Sequence, residues 1–308
     1  MLWNVQNHVI HLPEGEVPCA VFGRGSRTLV LLPGLGDGLK STRGMALPLA
    51  WMYRAFAKDF RVLVLSRMIP LAEGATTRDM AAHVAQALGQ LGVNKAAVVG
   101  VSMGGMIAQH LAIDYPQLVE SLVLTVTCPG PNPILEDSVT SWSHMARQGD
   151  HRALMVDNGR RIYSDGYLKK YGWMFPVVAR FTKPRSYRQF LIMAEACRIH
   201  DARDGLSRIK VSTLVIGGEQ DKCLGGEASR ELAAAIPGAE LKMYREYGHG
   251  AYEEASDFQP ILLEFLKKTT CQPSCRFYDH LIIAFLIQSK VSWLKTCSTR
   301  QASAEAFS

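Results

Sequence analysis

Residues 96–116 read AAVVGVSMGGMIAQHLAIDYP. The run 96–101 (AAVVGV) is apolar with no polar alternation, as a strand covered on both faces requires. From Met103 the pattern turns helical and continues to Pro116, which stops it. Between the two stands G-x-S-x-G, running from Gly100 to Gly104 with Ser102 at its centre. A nucleophilic serine needs this arrangement. The sharp strand-to-helix turn projects its hydroxyl beyond the sheet edge, and the flanking glycines leave room for crowded backbone. The plainer reading is a glycine-rich turn that lets a helix pack closely on a strand. The strand–turn–helix order favours the nucleophile.

Working outward, further apolar runs occur at 28–32 (TLVLL), 61–65 (RVLVL), 122–126 (LVLTV), 212–216 (STLVI) and 240–244 (ELKMY). Helical patterns separate them at 77–91, 103–115, 226–236 and 258–268. This alternation predicts an α/β fold with a mostly parallel central sheet and helices on both faces. The rhythm breaks between 129 and 207, where helical patterns at 138–148 and 184–200 are interrupted by no strand signal. So long a stretch must be an element in its own right, and it is expected to form a helical cap or lid over the carboxyl edge of the sheet. The predicted organisation is a core in two parts, 1–128 and 208–268, the cap at 129–207 and an atypical extension at 269–308. That extension holds Cys271, Cys275, Cys297 and the apolar segment 281–287 (LIIAFLI).

Composition narrows the function. The chain has 308 residues, 48% apolar and 20% charged, with a formal net charge of +6. Global disorder is excluded. No apolar run reaches about 18 residues, so no transmembrane helix is expected. The start, MLWNVQNHVIHLPEGE, lacks the basic-then-apolar pattern of a secretory signal. Lys and Arg are scattered, which argues against nucleic acid. The seven cysteines show no metal-ligand spacing and suit reduced thiols in the cytoplasm. No metal and no cofactor are expected. The loop 34–42 (GLGDGLKST) nearly reads as a phosphate loop, but Leu39 stands where that motif and G-x-G-x-x-G both need glycine. The sequence carries no signal for oligomeric state.

A serine hydroxyl needs a base, and the base needs an orienting group. Of nine histidines, only His249 lies in a Gly-His-Gly turn just after a late predicted strand. The acid is expected after the strand 212–216, where Asp221 is the best candidate and Glu219 the second. Tetrahedral intermediates need two preorganised backbone donors. Met103, directly after the serine, is expected to supply one. Leu35, in the loop 33–38 (PGLGDG) after the first apolar run, is expected to supply the other. Lys40 and Arg43 in the following loop, and Trp142 and Trp173 in the cap region, are candidate substrate contacts.

The stretches VVGVSMGGMIAQHLAIDYPQLVESLVL, TLVIGGEQD and REYGHGAYEE together resemble the α/β-hydrolase-fold superfamily, of the capped esterase, lactonase and C–C-hydrolase type. A 3-oxoadipate enol-lactonase-like protein is a plausible nearer neighbour. The resemblance covers roughly residues 17–268. It implies a cofactor-free serine hydrolase of a small ester, lactone or thioester, with Ser102 as nucleophile, Asp221 as acid, His249 as base and Leu35 and Met103 as oxyanion donors. The same groups would also serve C–C hydrolysis, perhydrolysis or acyl transfer. A non-catalytic binding module of this fold is the alternative from a different class. The sequence departs from the family in three places, one of them the loop 39–44 (LKSTRG), which carries two cations, Lys40 and Arg43, close to the predicted site. Pro33-Gly34 replaces the usual His-Gly of the oxyanion loop, and 65–70 (LSRMIP) stands where an acidic-x-Arg-Gly-x-Gly-x-Ser turn is usual.

Overall fold

The computed structural model describes residues 3–269. Its sheet has eight strands: β1 Gln6–Leu12, β2 Gly15–Phe22, β3 Arg27–Leu32, β4 Phe60–Leu65, β5 Ala96–Val101, β6 Val119–Thr125, β7 Thr213–Gly218 and β8 Glu240–Tyr244. The spatial order is β1-β2-β4-β3-β5-β6-β7-β8. From β4 to β8 every neighbouring pair is parallel, whereas β2 runs antiparallel to both β1 and β4. The six apolar runs predicted from the sequence are β3 to β8. β1 and β2 are additional. β1, QNHVIHL, is an edge strand with a largely exposed, polar first half, and β2 contains Pro18. Neither pattern resembles a doubly covered strand.

Twelve helices accompany the sheet among the described residues. In the core they are α1 Ala46–Met52, α2 Thr77–Gln90 and α3 Met103–Asp114. Between β6 and β7 come α4 Pro133–Arg147, α5 His151–Ile162, α6 Asp165–Tyr171, α7 Met174–Thr182, α8 Arg188–Arg198 and α9 Arg203–Leu206. The chain then adds α10 Gly226–Ala235, α11 Ala251–Glu254 and α12 Phe258–Lys268. Among the described residues, 3–263, the helical insertion included, cluster as one compact unit, and 264–269 fall outside it. The extension from 270 lies outside the described residues. No described helix is long and apolar enough to cross a membrane.

Local chemistry fixes these elements. Thr76 and Asp79 close a reciprocal capping box at the start of α2, worth about 1 kcal/mol. Asn132 caps α4 through the amides of Ile134 and Leu135. α3 is mostly apolar, with Gln109 and His110 as buried polar exceptions, and is buried along nearly its whole length, as a helix at the centre of a domain should be. Met106, Ile107 and Leu111 on it are almost wholly buried, each contributing about 1.5–3 kcal/mol.

Chain order and strand order disagree around β3. The chain goes from β3 outward to β4, then returns past β3 to β5. The connections leaving β3 and β5 therefore diverge and open a crevice beyond their carboxyl ends, where open α/β sheets bind ligands. Register brings the key loops side by side: Leu32 pairs with Gly100, Val101 with Thr125, Thr125 with Ile216 and Gly218 with Tyr244. Thus the segments after β3, β5, β7 and β8 all emerge at one edge.

Candidate active site

Ser102 occupies the turn between β5 and α3 with φ 53° and ψ −121°. This is a conformation that costs a non-glycine residue about 1–3 kcal/mol. Neighbours hold it there. The Ser102 amide donates to the Thr125 carbonyl at 2.9 Å, and its own carbonyl accepts from the Gly105 amide at 2.8 Å. The two motif glycines are needed for contact. A Cβ on Gly104 would stand 1.9 Å from the Leu32 carbonyl oxygen, and one on Gly100 would stand 2.4 Å from that of Gly104. The G-x-S-x-G spacing therefore lets α3 press against β3 and β5 while the serine takes the apex.

His249 follows β8, and its Nδ1 lies 2.8 Å from Asp221 Oδ2. The other carboxylate oxygen, Oδ1, accepts from the amides of Cys223 at 2.7 Å and Leu224 at 2.9 Å. Three hydrogen bonds thus immobilise a buried carboxylate, which aligns the ring and leaves Nε2 as the nitrogen available for chemistry. Glu219, the second candidate acid, instead pairs with Arg230 on the surface. Asp221, Cys223 and His249 bring three metal-ligating atoms within 4.8 Å. However, Nδ1 and Oδ2 are bound to each other, and burial beside Asp221 pushes the Cys223 thiol well above its ordinary range. Metal binding would need the thiolate, so the trio fits an oriented histidine beside a neutral thiol.

Leu35 and Met103 are each the first residue of a helix, Leu35 opening a 3-10 turn, Leu35–Gly38, and Met103 opening α3. An amide at that position has no intrahelical acceptor. A Cβ on Gly34 would lie 3.3 Å from that of Ser102, so the loop sits directly against the serine.

Sequence reasoning missed what holds this loop. Arg67 is the largest fully buried side chain among the described residues. Its guanidinium donates to the Pro33 carbonyl and, at 3.4 Å, to that of Leu65. Asp37, in the same loop, accepts from Ser66 Oγ at 2.6 Å and from the Arg67 amide at 2.8 Å. Ser66 Oγ also accepts from the Thr42 amide at 2.8 Å. Burial pushes the Asp37 carboxyl up and the Arg67 guanidinium down, and each is opposed by the other's charge. The departures from the family pattern at 33–34 and 65–70 therefore face each other. Read together, they were the available signal.

Ser102 and His249 line one cavity of about 440 Å³, a size that suits a small molecule. Its walls include Leu35, Lys40, Trp142, Leu154, Met155, Asn158, Tyr163, Phe190 and Tyr252. Lys40 and Trp142, expected as substrate contacts, are therefore at the cavity. The other two are corrected. Arg43 is held by Glu16 at 2.6 Å and is not among the lining residues. Trp173 is 69% exposed on the outside of the helical insertion. Phe190 belongs to α8, which packs on the 3-10 turn so closely that a Cβ on Gly38 would stand 2.8 Å from Phe190 Cα.

The insertion is also fastened beside the histidine. The Gly250 amide donates to the Ile162 carbonyl at 2.7 Å. Tyr163 Oη donates to Glu253 at 2.5 Å, and the Ser164 amide and hydroxyl donate to Glu254 at 3.0 and 2.5 Å.

Comparison with known proteins agrees with this fold. Residues 27–172 match the family described as the alpha/beta hydrolase fold. The chain is 28% identical over 261 residues to a protein of Pseudomonas savastanoi pv. phaseolicola named as a carbamate hydrolase, RutD, covering 79% of this chain and 94% of that one. It is 25% identical over 260 residues to the 2-hydroxy-6-oxononadienedioate/2-hydroxy-6-oxononatrienedioate hydrolase of Klebsiella pneumoniae, covering 80% and 89%. Among solved structures, an alpha/beta hydrolase from a Medee basin deep-sea metagenome library superposes with a TM-score of 0.76 at 22% identity, covering 84% of this chain and 97% of that one.

Proposed function

The chain belongs to the α/β-hydrolase-fold superfamily and is an enzyme of the hydrolase class, and from that premise we propose a serine hydrolase that cleaves a small ester, lactone or thioester. One observation carries the reading. A serine held at positive φ on a strand–helix elbow lines the same cavity as a histidine whose far nitrogen is bonded to a buried carboxylate.

In this mechanism Ser102 Oγ attacks the substrate carbonyl while His249 Nε2 takes its proton. The carbonyl oxygen becomes an oxyanion held by the amides of Leu35 and Met103. Collapse breaks the bond to the leaving group, which receives the proton from His249. Water then gives a proton to His249 and attacks the acyl-serine, and Ser102 recovers the proton as the acid departs. Asp221 keeps the imidazole in one tautomer and stabilises its cation. The helices of 129–207 act as the cap, with Trp142, Leu154 and Met155 forming an apolar wall for the acyl group and Lys40 a cationic end. No cofactor is required. The buried unpaired thiols Cys19, Cys128, Cys197 and Cys223 suit the cytoplasm.

Relatives named as a carbamate hydrolase and as a hydrolase of 2-hydroxy-6-oxononadienedioate favour a second reading, in which the same serine acts on a carbamate or a C–C bond. The test has two arms. A fluorophosphonate should label wild-type protein at Ser102 and leave Ser102→Ala unlabelled. Parallel turnover of p-nitrophenyl esters, lactones, acyl-thioesters, carbamates and a vinylogous diketone then separates the substrate classes. Folded wild-type protein that resists the probe and turns over none of these would remove the serine mechanism.

A further inference from the structure

Helix α7 is apolar on two faces. Its inner face belongs to the body of the protein. Phe175 fills the space over Gly159, where a Cβ would stand 2.8 Å from the ring, and stacks at 5.7 Å on Tyr163. Ala179 is buried, and Thr182 Oγ1 meets His151 Nε2 at 3.1 Å. Thr182 also lines the Ser102 cavity, so the end of α7 reaches that cavity's wall.

The outer face has no such partner among the described residues. Trp173, directly before the helix, is 69% exposed and Phe181 79%, and Met174, Val177 and Val178 lie exposed between them. Positions 173, 174, 177, 178 and 181 form one continuous stripe on a helix. Exposed apolar side chains gathered in one patch mark an interaction site, whereas scattered ones do not.

Charge identifies the occupant. Residues 169–190 contain Lys169, Lys170, Arg180, Lys183, Arg185 and Arg188, and no Asp or Glu. All six cations are exposed. Arg188 pairs with Glu73 and Lys183 donates to the Gly149 carbonyl. A second copy of this face would set cations against cations. The chain beyond 269 carries Arg276, Lys290, Lys295 and Arg300 against Asp279 and Glu305, so it too has the wrong sign. An aromatic and aliphatic stripe that shares its groove with Arg152, Arg180 and Lys183 against the single acid Asp150 matches the surface of an anionic bilayer, where rings settle among headgroups and cations meet phosphate and carboxylate.

We propose that the outer face of α7 docks the protein on an anionic lipid surface. The inference is independent of the serine chemistry. Docking through α7 turns the flank of the active-site cavity toward the bilayer and places it next to acyl substrates dissolved there.

The experiment is co-sedimentation of the full chain with vesicles of equal parts phosphatidylcholine and phosphatidylserine, beside vesicles of phosphatidylcholine alone. Binding is expected to the first and not the second, and to weaken with added salt. Val177→Ser with Phe181→Ser should lower the affinity by about tenfold or more. Arg180→Gln and Lys183→Gln should each lower it by about fivefold. Hydrolysis of a soluble p-nitrophenyl ester should stay unchanged in all of these, which separates lost docking from lost folding. Failure of the wild type to bind at low salt would overturn the proposal. So would stripe variants that sediment like wild type, because another part of the chain would then be the anchor. Stripe variants that convert an oligomer to a monomer on sizing would assign the face to a second copy instead.

Discussion

Replacing Arg67 by Met should damage stability and turnover together. The guanidinium is buried, its partners are the Pro33 carbonyl and the charge of Asp37, and Asp37 keeps only the Ser66 hydroxyl and the Arg67 amide once it is gone. Removing one of two opposed buried charges leaves the other uncompensated, at a cost of about 3 kcal/mol. That is a large part of a typical total of about 5–15 kcal/mol. Asp37→Asn should cost less, because the amide can still accept from Ser66 or the Arg67 amide, yet it strands the guanidinium. The double variant should be more stable than the sum of its parts requires, with a coupling of about 1–3 kcal/mol. Turnover should follow loop position. Loss of one oxyanion donor costs about 100- to 1,000-fold in kcat. A Leu35 amide that is tilted rather than removed should cost about 10- to 100-fold, falling on kcat with KM little changed, since the contact strengthens in the transition state. Urea unfolding and ester kinetics on the two single variants and the double variant measure both effects. Single variants with wild-type urea midpoints and wild-type kcat would refute the role of this pair as a brace.

Four further outcomes are expected. Ser102→Ala should lose on the order of 10⁶ in kcat while keeping its thermal midpoint, and activity above about a tenth of wild type would rule the serine out. Asp221→Asn should lose on the order of 10⁴ in kcat, whereas Glu219→Gln, which only releases Arg230 on the surface, should turn over normally. Gly104→Ala should fail to fold or lose all activity, because its Cβ would collide with the Leu32 carbonyl, and a crystal structure or circular dichroism spectrum would decide. His200 is pushed down from its ordinary 6.5 to about 3 by burial and by the neighbouring His110. The unfolded chain therefore binds a proton below about pH 6.5 that the folded protein refuses. Stability present above that pH is lost as pH falls toward about 3, roughly 2 kcal/mol of it by pH 5. His200→Asn should flatten that slope in urea unfolding at pH 7 and 5.

The strands β3 to β7 were legible because a doubly covered strand is largely apolar, and β8, a part-exposed edge strand with Glu240 and Lys242, was legible from the glycine-rich turn that follows it. β1 and β2 were not, since one is a half-polar edge and the other holds a proline. α1, ALPLAWM, was lost for a related reason, with Pro48 inside it and Leu47, Trp51 and Met52 turned outward. Ser102, His249 and Asp221 could be placed because each lies in a short loop directly after a strand, where sequence position nearly fixes spatial position. Arg43 and Trp173 could not, since a loop or cap residue is placed by partners remote in sequence, such as Glu16 for Arg43. The link from Arg67 to Pro33 spans 34 positions and joins two loops, so no local pattern announces it.

The bonds from Ile162, Tyr163 and Ser164 to Gly250, Glu253 and Glu254 have a practical meaning for anyone who recombines this protein with its kin. Residues 129–207 do not form a detachable module. Transplanting them alone into another scaffold would leave three anchor points behind, two of them carboxylates that would keep their charge and lose their donors. The segment from Gly250 to Glu254 must travel with the helices, and it begins one residue after His249, the proposed base. Chimeras cut at 129 and 207 should therefore show disturbed proton transfer even when their binding cavity is intact, whereas chimeras that also carry 250–254 should keep it.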